Sequence, residues 1–547
     1  MSDWNFADVW EAVADLLPDA TALVHGDRRV SWTDFDRRAS GVATALLDSR
    51  AKAQDKVAQY LYNGPEYLEA LFATMKAGLV PVNTNYRYTE DELVYLWDNA
   101  DVVAVVFHGC FAERIEPLRS RVPRVSTWLW VDDGSGPCPD WAVRYEDAAA
   151  SSADRPTPPW GRSGDDLYLL YTGGTTGMPK GVMWRQDDLF RKLNSSNLIK
   201  VPEEGGVEGL RKTIVGPGPI LLPAPPLMHG TGAFTAVGTL FVGGCVVTLT
   251  NRHFDAVELL ETVDRENVNV LAIVGDAFAK PILAALDANP GRYSLSTLIG
   301  IISSGVMWSE ETKRGLLGHH PTMMLIDAFS SSEALGMGTS ISTGTAAQHT
   351  ATFTLGPDVR VIDPQTNEDV VPGSGQKGVL ALGGRNPLGY YKDPDKTAAT
   401  FREVDGVRYS IPGDYATVEA DGSIQLLGRG SVVINTGGEK VFPEEVEEAL
   451  KVHPAVQDAV AVGVPDERFG EVVTAAVELA PGARATESEL IEHVRGSLAA
   501  YKAPRHVRFV ESIGRSPAGK VDYGRHRAEM VEVVAGATGR STKESRT

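Results

Sequence analysis

Residues 171–181 read Tyr171-Thr172-Gly173-Gly174-Thr175-Thr176-Gly177-Met178-Pro179-Lys180-Gly181, and this stretch decides the interpretation of the fold. Glycines permit positive φ angles and let backbone amides approach an anion without an intervening Cβ. The threonines add hydroxyl donors, and Lys180 adds a positive charge. The preceding residues 166–171 are mostly apolar, which predicts a short buried strand. A strand followed by a glycine-rich loop predicts a site for nucleotide phosphates.

The order of residues in this loop differs from that of a Walker A loop. A Walker A loop has Gly-Lys followed by Ser or Thr. Here Lys180 precedes Gly181 and follows Pro179, and a proline at that place prevents the usual start of a helix. The sequence therefore predicts a phosphate loop of a different class, with a different chemistry.

Size and composition are those of an ordinary globular protein with several folding units. The chain has 547 residues, and its length predicts about three to four units. Hydrophobic residues make up 43% and charged residues 23%, which is not the balance of a disordered chain. The formal net charge of −20 argues against general nucleic-acid binding, so we expect no nucleic-acid partner.

The sequence contains no pattern typical of secretion or of a membrane span. The N-terminus has neither a basic start nor an apolar signal core. The longest apolar stretch, residues 236–250, is interrupted by glycines and is shorter than a spanning helix requires. The cysteines have neither metal spacing nor the pattern of a disulfide framework: they are Cys110, Cys138 and Cys245. We expect a cytoplasmic protein, with peripheral membrane contact left open.

The distribution of apolar residues predicts α/β layers followed by two smaller parts. Residues 32–49 have a helical rhythm with Ser31 as N-cap, and strand and helix patterns alternate from there to residue 302, which favours largely parallel sheets. Short strands separated by turns follow after residue 355, and an α+β pattern begins after residue 431. The small and polar residues 535–547 are expected to be disordered.

Further segments carry residue types suited to nucleotide chemistry, and they follow the loop in this order: Asp327-Ala328-Phe329-Ser330-Ser331-Ser332-Glu333, Gly413-Asp414, Gly428-Arg429, Gly437-Gly438-Glu439-Lys440 and Ser516-Pro517-Ala518-Gly519-Lys520. The first of them follows the apolar residues 323–326, which predicts a position at the carboxyl end of a strand, where open α/β sheets bind ligands. Its aromatic ring is suited to stacking on a base, and its acid is suited to holding Mg²⁺ against phosphate oxygens.

Together these segments closely resemble the adenylate-forming superfamily of acyl-CoA synthetases, adenylation domains and luciferases, in colinear order over residues 20–530. Residues 171–181 and 435–446 are most similar to bacterial fatty-acyl-CoA synthetases, in particular the actinobacterial branch acting on long-chain or steroid side-chain carboxylates. The resemblance implies an N-terminal domain over residues 1–428, with α/β subdomains and a β-rich subdomain. It also implies a hinge at 429–431 and a small, mobile α+β C-terminal domain over 432–534.

The resemblance further implies a two-step reaction that uses ATP, Mg²⁺ and coenzyme A. A carboxylate attacks the α-phosphorus of ATP, giving acyl-adenylate and pyrophosphate, and the coenzyme A thiolate then displaces AMP. Because the carboxylate and the triphosphate are both anions, the enzyme must screen their repulsion.

Single residues match family positions with known roles. Lys520 matches the catalytic lysine that bridges the substrate carboxylate and the α-phosphate, and Glu333 matches the Mg²⁺ ligand. The residues matched to pyrophosphate binding are Thr172, Gly173, Gly174, Thr175, Thr176, Gly177 and Lys180. The residues matched to the adenine, ribose or α-phosphate are Gly305, Asp327, Ala328, Phe329, Ser332, Asp414 and Arg429.

For the second step the resemblance implies a rotation of the C-terminal domain, because a lysine beside the adenylate would obstruct pantetheine. Ser431 takes the hinge position, where relatives commonly have a charged residue. Rotation would bring in the loop Gly437-Gly438-Glu439, which precedes Lys440. Glycine suits this loop because the pantetheine arm must pass close to the backbone.

The acyl group is expected beside His229, which matches a family position at the acyl tunnel. Small residues predict room for a long or bulky acyl group there: Gly230, Gly232, Gly275, Ser303, Ser304 and Gly305. Met183-Trp184-Arg185 departs from the threonine–histidine pair of many relatives, and Trp184 and Arg185 are equally explained as packing and surface residues. The glutamates within residues 444–448 are expected on a solvated helix face.

Three other functions share parts of this pattern: a ligase that loads a carrier protein, a luciferase-like oxygenase, and a nucleotide sensor without activity. The glycine loop at 437–439 and the absence of a carrier-protein module favour the acyl-CoA synthetase. The expected partners are a small carboxylic acid, ATP and coenzyme A, and a homodimer is left open. The acyl chain length, and whether the acid is fatty or steroidal, do not follow from the sequence.

Overall fold

The computed structural model describes residues 4–172, 178–197, 199–306, 308–344, 349–436, 439–466, 469–516 and 519–544, and of residues 431, 440 and 535–544 only the backbone. The chain forms two compact units. The first comprises Met1–Gln348 with Leu382–Ser410, and the second comprises His349–Ala381 with Ile411–Thr547. These units divide the chain at other positions than the predicted domains, so the domain boundaries and the hinge at 429–431 stay predictions.

Strands and helices alternate from residue 4 to residue 172. In chain order they are α1 (Phe6–Leu16), β1 (Thr21–His25), β2 (Arg28–Ser31), α2 (Trp32–Asp48), β3 (Lys56–Tyr60), α3 (Pro65–Lys76), β4 (Val80–Asn83), α4 (Glu90–Asn99), β5 (Val102–His108), α5 (Ala112–Ile115), β6 (Thr127–Val131), β7 (Val143–Arg144), α6 (Tyr145–Ala149) and β8 (Leu167–Thr172).

The alternation continues to residue 342. The elements are β9 (Lys180–Arg185), α7 (Gln186–Ser196), α8 (Gly206–Thr213), β10 (Ile220–Pro223), α9 (Gly230–Phe241), β11 (Cys245–Thr248), α10 (Ala256–Arg265), β12 (Val270–Ile273), α11 (Gly275–Ala288), β13 (Gly300–Ser304), α12 (Glu310–His319), β14 (Met324–Ser331) and β15 (Ala334–Ser342).

Strands predominate in the remainder. The elements are β16 (Thr352–Leu355), β17 (Val359–Ile362), β18 (Gly378–Leu382), β19 (Gly389–Tyr390), α13 (Pro394–Thr400), β20 (Phe401–Val404), β21 (Val407–Ser410), β22 (Asp414–Val418), β23 (Ile424–Arg429), β24 (Ile434–Thr436), β25 (Glu439–Val441), α14 (Pro443–Lys451), β26 (Val456–Asp466), β27 (Gly470–Leu479), α15 (Glu487–Ser497), β28 (His506–Val510) and α16 (Tyr523–Glu544).

Two predominantly parallel sheets organise the first unit. One has the strand order β19-β9-β8-β4-β3-β5-β6-β7, in which only β9 pairs in the antiparallel sense, with β8 and with β19. The other runs β2-β1-β11-β10-β12-β13-β14-β15 and is parallel except at its two end pairs. The α/β class, with a small α+β part at the C-terminal end, is confirmed.

Aromatic packing fills the core of the first unit. Trp10 packs edge-on against Phe72 with ring centroids 5.1 Å apart, and Phe35 lies 5.1 Å from the same ring. All three side chains are fully buried. Large rings bury more apolar surface than any other side chains, so this cluster contributes strongly to the hydrophobic stabilisation of the unit.

Helix starts follow the local chemistry that the sequence predicted. Ser31 caps α2 by accepting the Asp34 backbone N–H, as predicted. At the far end of the chain α16 continues to Glu544, whereas we predicted disorder from residue 535. The stretch holds alanine, lysine and arginine, whose helix propensity lets an existing helix continue into it.

The second unit contains a small antiparallel arrangement and a five-stranded sheet. Strand β22 pairs with β18 and with β23, and β23 pairs with β16. The five-stranded sheet has the order β25-β24-β27-β26, with β28 parallel to β27. Among the described residues, no helix is both long and apolar enough to cross a bilayer.

Candidate active site

The phosphate loop joins two paired strands of the first unit. Thr172 ends β8 directly opposite Lys180, the first residue of β9. The buried Asn83 side chain fixes the strand before the loop: its Nδ2 donates to the Tyr171 carbonyl at 2.8 Å, and its Oδ1 accepts the Tyr171 N–H at 2.6 Å. The predicted residues Gly173, Gly174, Thr175, Thr176 and Gly177 lie outside the described residues. Paired strands therefore hold both ends of the loop, and the sequence predicted the one that precedes it.

Lys180 is held by a carboxylate of the same unit. Its Nζ donates to Asp393 Oδ2 in a half-exposed ion pair. Asp393 also caps α13 by accepting the Lys396 N–H at 3.0 Å, and these two bonds lower the pKa of its carboxyl group. A polyphosphate in the loop must share Lys180 with Asp393, which no sequence pattern indicated.

Glu333 lies in the tight turn between β14 and β15, and its position corrects one expectation. We predicted that residues 327–333 follow the end of a strand, but β14 continues to Ser331. The strand is longer because Leu325–Phe329 pair with β15 on the side opposite to β13. Glu333 is therefore presented by a β-hairpin turn rather than by a loop at a strand end.

Three side chains hold this hairpin turn. The Tyr390 hydroxyl donates to Glu333 Oε1 at 2.8 Å, and the Ser410 hydroxyl donates to the Glu333 carbonyl at 2.7 Å. The Trp184 indole N–H donates to the Ser332 carbonyl at 3.0 Å. Trp184 is fully buried, so it is a packing residue with a specific polar contact at the predicted metal ligand. No sequence pattern had indicated a role for Tyr390 or Ser410.

The chemistry of Glu333 fits a magnesium ion that is shared with phosphates. Within the described part of the chain, no group of three His, Cys, Asp or Glu side chains could hold a metal by itself. Mg²⁺ at nucleotide sites is commonly bound by one or two carboxylates together with substrate phosphates and water. The partly exposed carboxylate of Glu333 suits this arrangement.

Asp327 is turned into the protein. Its carboxylate is buried and accepts from Lys313 Nζ at 3.3 Å, and Lys313 is buried as well. Ala328 and Phe329 follow in β14 and are partly exposed, as is Ser332 in the turn. Any contact of Asp327 with adenine would therefore use its backbone, because the side chain is engaged in a buried ion pair.

Gly305 has a conformation that requires glycine. Its φ is +98°, and a Cβ there would meet nothing closer than 3.8 Å, from Thr231 Oγ1 and Val274 Cγ1. The backbone angle, rather than lack of space, therefore selects glycine at this position. The open space beside it suits a ligand.

The small residues near His229 serve different purposes. His229 is the N-cap residue of α9 and is partly exposed. A Cβ at Gly232 would lie 2.5 Å from the Pro226 carbonyl, so this glycine permits close packing of α9 and adds no room for a ligand. Ser303 is buried and accepts the Gly275 N–H at 2.9 Å. A Cβ at Gly230 or at Gly305 would meet no atom within 3.5 Å, so these two glycines leave open space beside them.

In the second unit, Asp414 and Arg429 are cross-strand partners at adjoining ends of β22 and β23. The Arg429 Nε donates to Asp414 Oδ1 at 3.2 Å. Asp414 is buried, whereas Arg429 is half-exposed. Gly413, with φ +99°, turns the chain just before the aspartate. The structure therefore brings together Asp414 and Arg429, both of which the resemblance matched to the nucleotide.

Lys520 closes a tight turn. The Ser516 N–H donates to the Lys520 carbonyl at 2.8 Å, and the Lys520 N–H donates to Ser516 Oγ at 3.1 Å. Arg515 supports the turn from below: its Nη1 donates to the Gly519 carbonyl at 3.1 Å, and its Nε and Nη2 bind both carboxylate oxygens of Asp458. Hydrogen bonds from Ser516 and Arg515 therefore hold the backbone at Gly519 and at the exposed Lys520.

The predicted hinge and pantetheine loop are described only in part. Ser431 lies in a single 3-10 turn, Gly430–Val432. Gly437 and Gly438 fall outside the described residues. Glu439 and Lys440 begin β25, which pairs with β24, and the side chain of Glu439 is exposed.

We expected the glutamates of α14 to face solvent, and this prediction is wrong for Glu444 and Glu447. Glu447 is buried and accepts the Ala461 N–H at 3.0 Å. Glu444 Oε2 is buried against Gly428, and its Oε1 accepts the Arg429 N–H at 3.5 Å. Burial and the neighbouring Glu447 raise the pKa of Glu444 to about 8. The sequence pattern failed because α14 packs against both β23 and β26, which leaves it little exposed surface.

We expect Glu444→Gln to raise the apparent Tm at pH 8.5 by ~3 °C or more. A carboxyl group whose pKa is raised in the folded state destabilises that state progressively as the pH increases from the unfolded value of 4.5 through about 8. Glutamine carries no charge, so the variant escapes this loss. Scanning fluorimetry at pH 5 and pH 8.5 measures the difference.

At pH 5 the same variant should melt within about 1 °C of the parent protein, because Glu444 is then protonated in the folded state. Glu492→Gln, which removes an exposed carboxylate from α15, is the control. An equal gain at both pH values, or an equal gain in the control, would contradict the buried ionisation.

Comparisons with known proteins agree with the motifs. The model of the AMP-binding enzyme family matches residues 10–391, and that of the AMP-binding enzyme C-terminal domain matches residues 445–520. The chain is 43% identical to the 3-oxocholest-4-en-26-oate–CoA ligase of Rhodococcus rhodochrous, over 95% of this chain and 94% of the relative. It is also 43% identical to the medium/long-chain-fatty-acid–CoA/3-oxocholest-4-en-26-oate–CoA ligase of Mycolicibacterium smegmatis, over 95% of each chain.

Solved structures share the fold. ATP-bound MatB from Rhodopseudomonas palustris superposes with a TM-score of 0.78 at 26% identity, covering 96% of this chain and 99% of MatB. The anthranilate–CoA ligase AuaEII in complex with anthranoyl-AMP gives a TM-score of 0.82 at 20% identity, covering 98% and 99% of the two chains. The predicted resemblance is confirmed, and the chain belongs to the AMP-binding family of adenylate-forming enzymes.

Proposed function

We propose that this enzyme is an AMP-forming acyl-CoA ligase for medium- to long-chain fatty acids or steroid side-chain acids. It joins the acid to coenzyme A through an acyl-adenylate, and it releases AMP and pyrophosphate. Because ATP and coenzyme A are both cytoplasmic metabolites, the cytoplasm is the proposed place of action.

The observation that carries the proposal is the full-length similarity to CoA ligases. The relatives at 43% identity are named for fatty acids and for 3-oxocholest-4-en-26-oate, and the alignment covers about nineteen-twentieths of the chain. The similarity thus includes both matched domains, and the proposed mechanism takes residues from both of them.

The first unit is proposed to bind the triphosphate of ATP. Residues 172–180 cradle the pyrophosphate, with Lys180 as the cation of the loop. Glu333 binds Mg²⁺, which, when bound, neutralises phosphate charge. Gly305 and the residues 327–332 lie beside the adenosine. Fixed donors and charges of this kind need no reorganisation during the reaction, which is why they lower the barrier.

In the second unit, Asp414 binds the ribose hydroxyls and Arg429 orients its carboxylate. Lys520 bridges the attacking carboxylate and the α-phosphate during adenylation. A rotation about residues 429–431 then replaces Lys520 with the loop that contains Glu439, so that pantetheine gains access. Separate arrangements for the two steps avoid a conflict between the lysine and the thiol.

Product analysis tests this proposal. We expect the enzyme, with hexadecanoate, ATP, Mg²⁺ and coenzyme A, to form AMP and acyl-CoA in equal amounts, as measured by chromatography and mass spectrometry. The same reaction with an acyl carrier protein in place of coenzyme A should give no thioester. Formation of ADP, or consumption of oxygen with the adenylate, would contradict the proposed ligase.

A further inference from the structure

We propose that Tyr390 is a positioning residue that holds the carboxylate of Glu333 for magnesium–ATP, and that Trp184 holds the backbone beside it. This inference rests on the proposed role of Glu333. Neither residue belongs to the set that the sequence matched to ligands.

The contact between Tyr390 and Glu333 is direct and sheltered. The Tyr390 hydroxyl donates to Glu333 Oε1 at 2.8 Å, and Tyr390 is 5% exposed. Its ring packs against Phe401 with centroids 5.8 Å apart. A hydrogen bond to a carboxylate in a sheltered place is a strong contact that restricts the side chain to one rotamer. Within the described part of the chain, no group donates a hydrogen bond to the second oxygen of Glu333, so this oxygen is suited to binding a metal ion.

The backbone of Tyr390 is itself fixed. The Tyr390 N–H donates to Thr397 Oγ1 at 2.8 Å, and the Thr397 hydroxyl donates to the Asp393 carbonyl at 2.7 Å. Gly389 has φ +149°, and a Cβ there would collide with the Thr397 side chain. Glycine is therefore required next to Tyr390, and the tyrosine enters the site from a defined direction.

The same segment is paired with the strand that begins at the phosphate loop. Tyr390 is the register partner of Val182 in β9, and the Tyr391 N–H donates to the Gly181 carbonyl at 2.8 Å. Asp393, three residues after Tyr390, holds Lys180. Residues 389–393 thus contact both Lys180 of the loop and Glu333 of the hairpin turn. The relative position of these two side chains is therefore set by one short segment of backbone.

Trp184 supports the turn from the neighbouring strand. Its indole N–H donates to the Ser332 carbonyl at 3.0 Å, and the fully buried ring leaves no alternative rotamer without repacking. This contact gives a physical reason for the tryptophan in Met183-Trp184-Arg185, where many relatives have a threonine–histidine pair. The turn is held at the Ser332 carbonyl, and the Glu333 carboxylate is held at Oε1. The carboxylate therefore has few alternative positions.

The test is the Mg²⁺-dependent gain in ATP affinity, measured by calorimetry on the full chain with excess Mg²⁺ and with EDTA. In Tyr390→Phe we expect this gain to fall by about tenfold, which is the usual effect of losing one hydrogen bond to a charged group. Affinity in EDTA should stay within about twofold, because the metal contact is then absent. Tyr391→Phe is the matched control, since its hydroxyl donates to the Asp101 carboxylate at 2.8 Å, away from Glu333.

Further variants separate the possible failures. Trp184→Phe leaves Tyr390 in place and should also lower the Mg²⁺-dependent gain in ATP affinity. Glu333→Gln should abolish this gain. If Glu333→Gln abolishes the gain while Tyr390→Phe leaves it unchanged, the positioning role is wrong and the proposed function stands. If Glu333→Gln also leaves the gain unchanged, the metal role of Glu333 itself is wrong. An equal loss in Tyr391→Phe would overturn the specific contact.

Discussion

Replacing Lys520 with alanine is expected to lower the rate of acyl-adenylate formation about a thousandfold, because one charged donor aimed at the developing charge is lost. Thioester formation from supplied acyl-adenylate and coenzyme A should stay within about twofold, since no charge develops near Lys520 in that step. Acid-dependent exchange of pyrophosphate with ATP measures the first half-reaction. Acyl-CoA formed from synthetic acyl-adenylate measures the second.

The structure makes this variant a clean test. The turn that carries Lys520 is closed by main-chain bonds and by the Ser516 hydroxyl. Arg515 holds it through the Gly519 carbonyl and binds Asp458, whose pKa is lowered because this pairing outweighs the effect of burial. Alanine at position 520 leaves these supports in place, so the lost rate reports the side chain.

Arg484→Ala removes an exposed cation from the same unit and serves as the control. It should retain both half-reactions. Equal loss of the two half-reactions in Lys520→Ala would contradict the proposed division of labour, because it would place the lysine in both steps.

The sequence predicted the local structure well where chemistry is local. Helix α2 begins at Trp32, directly after Ser31, which was predicted as its N-cap. Asp414 and Arg429, fifteen residues apart in the chain, were both matched to the nucleotide by resemblance, and the structure pairs their side chains. A helix cap, a turn or a family motif depends on a few consecutive residues, so a single sequence is enough to predict it.

Burial was harder to predict than position. Asp327 and Glu447 are carboxylates that ordinarily face solvent, yet both are buried with partners from other elements. Such partners are set by sheet order and helix packing. A charge pattern along one helix or strand does not contain that information.

The supports of Glu333 could not be found from the sequence for the same reason. Tyr390 follows Glu333 by 57 positions, and Trp184 precedes Ser332 by 148. The only indication in the sequence was that Met183-Trp184-Arg185 departs from the relatives' pattern. Its physical reason is the hydrogen bond from Trp184 in β9 to Ser332 in the hairpin turn.

The choice of acid is expected to show the second large effect: hexadecanoate or a steroid side-chain acid should exceed acetate in kcat/KM by about a thousandfold or more. Each buried methylene group stabilises a complex by about 0.8 kcal/mol, and part of this gain is lost in ordering the chain. Gly230 and Gly305 leave space beside Thr231 and Phe234, where such a chain would lie.

The most direct test of the central claim is coenzyme A-dependent AMP release with a panel of acids. The panel runs from acetate through octanoate to hexadecanoate and 3-oxocholest-4-en-26-oate, and benzoate is a compact aromatic control. We predict that kcat/KM increases steeply with apolar size, and that AMP release at each acid requires coenzyme A for sustained turnover. Acetate as the best substrate, or sustained AMP release without coenzyme A, would contradict the account.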